Sequence, residues 1–320
     1  MTLSIGYAEK PYRHEPGVDG PDSDIYQATP EERAQTVQAA LDAGITFFHA
    51  AHEREAASLG ASLRALGIRD AITISTTDGD ALDRCPDTED GAASAITAAI
   101  ARKQELLGVE VIDLFSLYDV RQDVHTPARI AGARRALEQA QADGHVRAIG
   151  ATCYGDYDAL TEIIKTGSLP LKTIQARYNY ADPRATDRLF PACRASGVQA
   201  LAAQTFAWYC GIPFVRFPNT WRYRNLTKNF YGFTAAQAHL YWVLTNPDID
   251  GAVVSMQTPE QVTENVAAAH ISKTPIGLES LFISFVEAIT TTREGWRGLL
   301  QDDLWEYRAA AEAFLARRKP

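Results

Sequence analysis

The stretch GITFFHAAHEREAASLG, residues 44–60, decides how this chain is read. An apolar β-run over 45–48 ends in the polar cluster His49, His52, Glu53 and Arg54, and a helical pattern follows with no room for a long loop. Polar groups delivered at the carboxyl end of a buried strand are how barrels of alternating strands and helices build active sites. Which groups they are therefore bears directly on function.

Working outward, short β-branched or aliphatic runs alternate with helical patterns along the chain. Strands are expected at 3–7, 45–49, 71–76, 111–117, 146–151, 173–178, 199–203 and 251–256. Helices are expected near 30–43, 53–66, 91–107, 127–143, 156–166, 184–196, 233–246 and 259–270. Thr29-Pro30-Glu31-Glu32 is a capping box with proline at the first helical position, and Thr258-Pro259-Glu260-Gln261 repeats that logic. Gly44, Gly144 and Gly197 fall where helices stop. Strands alternating with helices imply a parallel sheet, and eight such units imply closure into a (β/α)8 TIM barrel. A doubly wound sheet is the competitor, but no Gly-x-Gly-x-x-Gly follows any strand.

The 320 residues, 46% of them hydrophobic, suit one barrel domain spanning the chain, the barrel itself over about 3–270. Amphipathic helical patterns over about 276–318 are expected to pack against it as a C-terminal extension. A formal charge of −9 argues against nucleic acid or an anionic membrane surface as a partner. No apolar run reaches the roughly 18–20 residues of a membrane helix, and MTLSIGYAEK lacks the pattern of a signal peptide. Cys85, Cys153, Cys193 and Cys210 have no Cys-x-x-Cys spacing, so a reducing cytoplasm is the expected location.

Two connections are too long to be simple linkers, 8–28 and 204–232. The second holds Trp208 and Trp221 among many aromatics, carries Arg216, Arg222 and Arg224, and has no acidic residue. It reads either as a lid packed on the barrel rim or as a clamp for a small anionic or planar substrate. At the ends of the strands, His49 with His52 can move protons near neutrality, and Tyr118 can donate a hydrogen bond, with Arg121 and His125 close behind it. His49-x-x-His52-Glu53 leaves a strand and has no third ligand in view, so no metal is expected.

Gly44–Phe48, Val111-Ile112-Asp113-Leu114, His145-Val146-Arg147-Ala148-Ile149-Gly150, Ile174-Gln175 with Tyr178-Asn179, and Pro259-Glu260-Gln261-Val262 through Glu264-Asn265 follow one another in that order. Together they resemble the aldo-keto reductase family. The resemblance implies a nicotinamide-dependent carbonyl reductase using a tyrosine acid tuned by lysine and aspartate, with a histidine orienting the carbonyl. By the same resemblance His49 stands at the aspartate position, Arg54 at the tyrosine, Thr77 at the lysine and Tyr118 at the histidine. The short hairpin that usually plugs the barrel floor before the first strand is expected to be missing. The implied cofactor positions are Thr152, Gln175, Gln204, Gln257, Gln261, Glu264 and Asn265. Gln175 matches the residue that holds the nicotinamide amide, Ala203 replaces the stacking tyrosine, and the neutral Gln257 leaves NAD and NADP both open.

Three readings follow. The first is a redox-neutral enzyme, a lyase, dehydratase, cyclase or isomerase, in which His49 and His52 supply base and acid, Glu53 and Arg54 border them, and Tyr118 donates a hydrogen bond. The second is an NAD(P)H-dependent oxidoreductase with a relocated proton donor, Tyr118 or a loop tyrosine. The third is a non-catalytic partner or regulatory subunit on the same scaffold.

Overall fold

The computed structural model describes residues 4–9, 12–13, 26–179, 182–206 and 235–270. The chain opens with β1 (Ser4–Ala8), then a small antiparallel ribbon of β2 (Tyr12–Arg13) and β3 (Tyr26–Gln27) within the long first connection. Helix α1 (Pro30–Asp42) leads to β4 (Phe47–Ala50), α2 (Glu53–Leu66), β5 (Thr73–Thr77), α3 (Ala81–Arg84) and α4 (Glu89–Leu107). Next come β6 (Ile112–Leu117), α5 (Pro127–Ala142), β7 (Val146–Cys153), α6 (Tyr157–Thr166) and β8 (Thr173–Arg177). The described chain ends with α7 (Leu189–Ser196), β9 (Gln199–Ala203), α8 (Ala235–Leu244), β10 (Gly251–Ser255) and α9 (Pro259–Ala269).

The order β1-β10-β9-β8-β7-β6-β5-β4 closes on itself through parallel pairs, β1 meeting both β10 and β4. This is the (β/α)8 barrel that the alternation of patterns predicts. Alternate residues on each strand face opposite sides, so Ile74, Phe115, Ile149, Ile174 and Val254 are buried under the helices. Ala8, Leu201 and Val253, with Phe47, form a small apolar plug of their own within the ring. The remaining inward positions are mostly polar, and they form the site.

The capping box at Thr29 is complete, whereas at Thr258 only its first half forms, because Gln261 Oε1 accepts from Gln257 N and not from Thr258 N. Thr29 Oγ1 accepts from Glu32 N while Glu32 Oε2 accepts from Thr29 N, and Thr258 Oγ1 accepts from Gln261 N. The helix expected over 184–196 is shorter: a 3-10 turn at Arg184–Thr186 precedes α7, which starts at Leu189. Pro191 explains the break, since it has no N–H and its ring collides with the carbonyl four residues back, so it is tolerated only in a first turn. Strand β4 runs one residue past His49, which was expected to end it, and β7 runs on to Cys153, so Thr152 lies within the strand and not after it.

The C-terminal extension, most of the 8–28 and 204–232 connections, and residues 1–3, where the expected lack of a floor hairpin would be judged, lie outside the described residues. Among the described residues no helix is long and apolar enough to cross a membrane.

Candidate active site at the barrel mouth

Three side chains from three strands meet inside the ring. His49 on β4, Ser75 on β5 and Gln175 on β8 all point inward, with His49 6% exposed and Gln175 1%. Ser75 Oγ lies 3.0 Å from His49 Nδ1, and the Gln175 Nε2 amide lies 3.2 Å from both of those atoms. An amide nitrogen only donates, so His49 Nδ1 is an acceptor here and the neutral ring carries its proton on Nε2. Gln175 Oε1 makes no hydrogen bond among the described residues. The cluster thus fixes one imidazole tautomer and leaves one amide oxygen free to accept.

A second group gathers where β4, β5 and β6 end. The Glu55 carboxylate accepts from Ala51 N at 2.8 Å and His52 N at 3.0 Å, so it holds the two-residue turn into α2. The carbonyl of Ala51 accepts from Thr77 Oγ1 at 2.8 Å and from Lys103 Nζ, reaching in from α4, at 2.6 Å. Asp78 accepts from Tyr118 N at 2.6 Å and Leu82 N at 3.1 Å. Burial lowers Lys103 to about 8, against the opposing pull of Glu55, Glu53 and Asp78, and burial raises Asp78 to about 7. The His52 ring stands edge-on to Tyr118 at 5.2 Å, and Tyr118 packs on Tyr154 at 5.5 Å.

The other expected residues fall into different surroundings. His52 is exposed at the N-terminus of α2, whereas His49 is enclosed by the strands. Glu53 pairs with Arg102 on the surface at 3.2 Å, and Arg54 is exposed in the first turn of α2. Arg121 and His125 both bind Asp83, at 2.6 and 2.8 Å, and His125 Nδ1 also accepts from Arg121 N at 2.9 Å. Burial holds His125 below the ordinary imidazole range, and this triad ties the loop after β6 to α3.

Of the expected cofactor residues, Thr152 is buried and its Oγ1 accepts from Asp119 N at 2.7 Å. Gln204 turns its Oε1 onto Arg177 Nε at 2.6 Å. Gln261 Oε1 accepts from Gln257 N at 2.7 Å, Asn265 is buried, and the Glu264 carbonyl accepts from Gln237. Trp208, Arg216, Trp221, Arg222 and Arg224 lie outside the described residues.

The sequence reading passed over Ser75, Glu55, Asp78 and Lys103. Lys103 did carry a signal, because it falls on the apolar stripe Ile96, Ile100, Leu107 of α4 and so had to be buried. Ser75 had none, being one of three hydroxyl residues in a row, Ser75-Thr76-Thr77, any of which suits a strand.

The sequence profile of the Aldo/keto reductase family matches residues 20–208. D-threo-aldose 1-dehydrogenase of Pseudomonas sp is 32% identical over 210 residues, covering 57% of this chain and 62% of that protein. NADH-specific methylglyoxal reductase of Escherichia coli (strain K12) is 28% identical over 201 residues, covering 56% of this chain and 60% of that protein. The chain therefore spans about three fifths of the length of these relatives. With the profile matched over more than half its length and the barrel closed as described, the chain belongs to the aldo/keto reductase family.

Proposed function

We propose that this protein is a nicotinamide-dependent oxidoreductase acting on a carbonyl, with that carbonyl polarised by a hydrogen bond from His49. The observation that carries the reading is the free Oε1 of Gln175 at the centre of the ring, its Nε2 being held by His49 and Ser75. A carboxamide presented to that oxygen finds an acceptor already fixed in place. The names of the relatives, a dehydrogenase and an NADH-specific reductase, support this reading over the redox-neutral one.

When bound, the nicotinamide supplies the hydride; Gln175 would hold its carboxamide, and the start of α9, with Glu264 and Asn265, the adenosine end. The family's proton donor is tuned by an aspartate and a lysine, positions taken here by His49 and Thr77, while Arg54 and Tyr118 take the tyrosine and histidine. Arg54 is exposed on α2, so it is a poor proton donor for a carbonyl in the ring. His49 is better suited to polarise that carbonyl as a hydrogen-bond donor, because its contacts leave the neutral ring with its proton on Nε2. Lys103 and Thr77 share the Ala51 carbonyl, so a lysine charge returns to this level from α4.

At the adenosine end Gln257 is neutral, and Arg33, which reaches its carbonyl at 3.1 Å, is taken up by Glu9. With no described cation spare for a 2′-phosphate, NADH is the favoured cofactor.

The test is a titration with NADH and NADPH, followed by reduced-nicotinamide fluorescence, and then turnover of an aldehyde panel. NADH should bind more tightly than NADPH, and His49→Gln should lower kcat by roughly 10²–10³-fold with binding largely kept. Absence of binding of either dinucleotide at millimolar concentration would end this reading in favour of the redox-neutral one.

A further inference from the structure

Arg177 is the last residue of β8, two positions beyond Gln175 and on the same side of the strand, about 6–7 Å further toward the mouth. Its side chain is 19% exposed. The Nε donor is clamped by Gln204 Oε1 at 2.6 Å. The nearest carboxylate, Asp182, is 3.8 Å from Nη1, too far for a hydrogen bond. That carboxylate is already engaged by Arg184 through Nε at 2.7 Å and Nη2 at 2.8 Å, and by the Tyr157 hydroxyl at 2.9 Å. The Nη1 and Nη2 donors of Arg177 therefore have no hydrogen-bond acceptor among the described residues.

The clamp itself is held in an unusual shape. Gln204 has φ +50°, a left-handed conformation uncommon for a residue other than glycine, and Asn179 Nδ2 donates to its carbonyl at 2.9 Å. Strain of this kind persists where the surroundings enforce it, and it gathers at binding sites. Here it orders the guanidinium through Nε and leaves Nη1, which has Asp182 3.8 Å away as a loose ion pair, and Nη2 as donors without a hydrogen bond, the fork that receives a carboxylate through two parallel hydrogen bonds.

We propose that Arg177 is the specificity-determining residue of the mouth, recognising a carboxylate on a carbonyl substrate. The choice of an aldehyde as probe rests on the oxidoreductase reading above; the anion site itself does not. On the oxidoreductase reading a carboxylate fits better than a cofactor phosphate, because Arg177 adjoins Gln175, which would hold the nicotinamide carboxamide.

The experiment compares 4-carboxybenzaldehyde with benzaldehyde as substrates and, separately, measures benzoate binding by protein NMR. The wild-type protein should prefer the carboxylated aldehyde, and in Arg177→Met the ratio of the two kcat/KM values should fall roughly 10- to 100-fold. Arg177→Lys, which keeps the charge without the fork, should fall between them and serves as the control for folding. Benzoate binding should weaken in the same order. A ratio unchanged in Arg177→Met, or a loss of NADH affinity with aldehyde discrimination intact, would overturn the proposal. If no aldehyde is turned over, the oxidoreductase reading fails, and benzoate binding that is equal in wild type and Arg177→Met would still sink the anion site by itself.

Discussion

Lys103 shows what a single buried charge contributes. It is 3% exposed on α4, its ammonium donates to the Ala51 carbonyl, and burial lowers it from 10.5 to about 8. Folding therefore favours the neutral amine. Below about pH 8 both folded and unfolded chains carry the charge, and the folded one bears its burial in full. Between about 8 and 10.5 the folded chain has lost the proton and the unfolded one has not, so stability rises with pH across that window. The shift is on the order of 3 kcal/mol. Urea denaturation of wild type and Lys103→Met at pH 7.5 and pH 10 should show the wild type gaining about that much relative to the variant. Equal pH dependence in the two proteins would mean that Lys103 is not perturbed. At this scale the residue types were legible in the sequence and their partners were not. His49 was visible as a candidate, yet Ser75 and Gln175, which fix its tautomer, lie 26 and 126 positions away.

Helices α2, α4 and α5 pack more closely than their sequences suggest. A Cβ built on Gly132 of α5 would sit 2.9 Å from Ala92 Cβ and collide with the Glu89 carbonyl on α4; one on Gly60 of α2 would lie 2.8 Å from Leu107 Cα. In an isolated helix Gly→Ala gains about 1 kcal/mol. In this setting the sign reverses, because the rigid backbone opposite cannot retreat. Gly132→Ala should lose about 1–3 kcal/mol in urea denaturation; a gain would show that the two helices separate easily. Element positions were largely legible, since each is written in local periodicity and caps. Departures come where local chemistry overrides periodicity, as with Pro191 at the start of α7, or where segments are too short for a pattern, such as the four-residue α3 and two-residue β2 and β3.

Across the whole molecule, the barrel closes where its first and last strands meet, and a buried ion pair sits at that seam. Glu9, just after β1, accepts from Arg33 Nε at 2.8 Å, the Tyr7 hydroxyl at 2.7 Å and Ser58 Oγ at 2.9 Å. Arg33, on α1, also donates to the carbonyls of Met256 and Gln257 beyond β10 and to the Tyr7 hydroxyl. The pair joins β1, α1, α2 and the end of β10. Arg33→Met would strand a carboxylate with no exposure, at a cost of about 3–5 kcal/mol, and Arg33→Met with Glu9→Leu should recover most of it. Thermal denaturation of both variants checks this, and a double variant as unstable as the single one would refute it. No pattern of spacing marks Glu9 and Arg33 as partners, because pairing over 24 residues depends on how the ring closes. The sequence by itself determined the barrel, since alternating short apolar runs and capped helices leave one economical way to bury both. It also determined which residue types stand at the strand ends. Only the tertiary structure decided which of them meet: His49 with Ser75 and Gln175, Lys103 with Ala51, Arg177 with Gln204. Those contacts depend on strand register, ring closure and the reach of side chains between elements, and none of these is a property of local sequence.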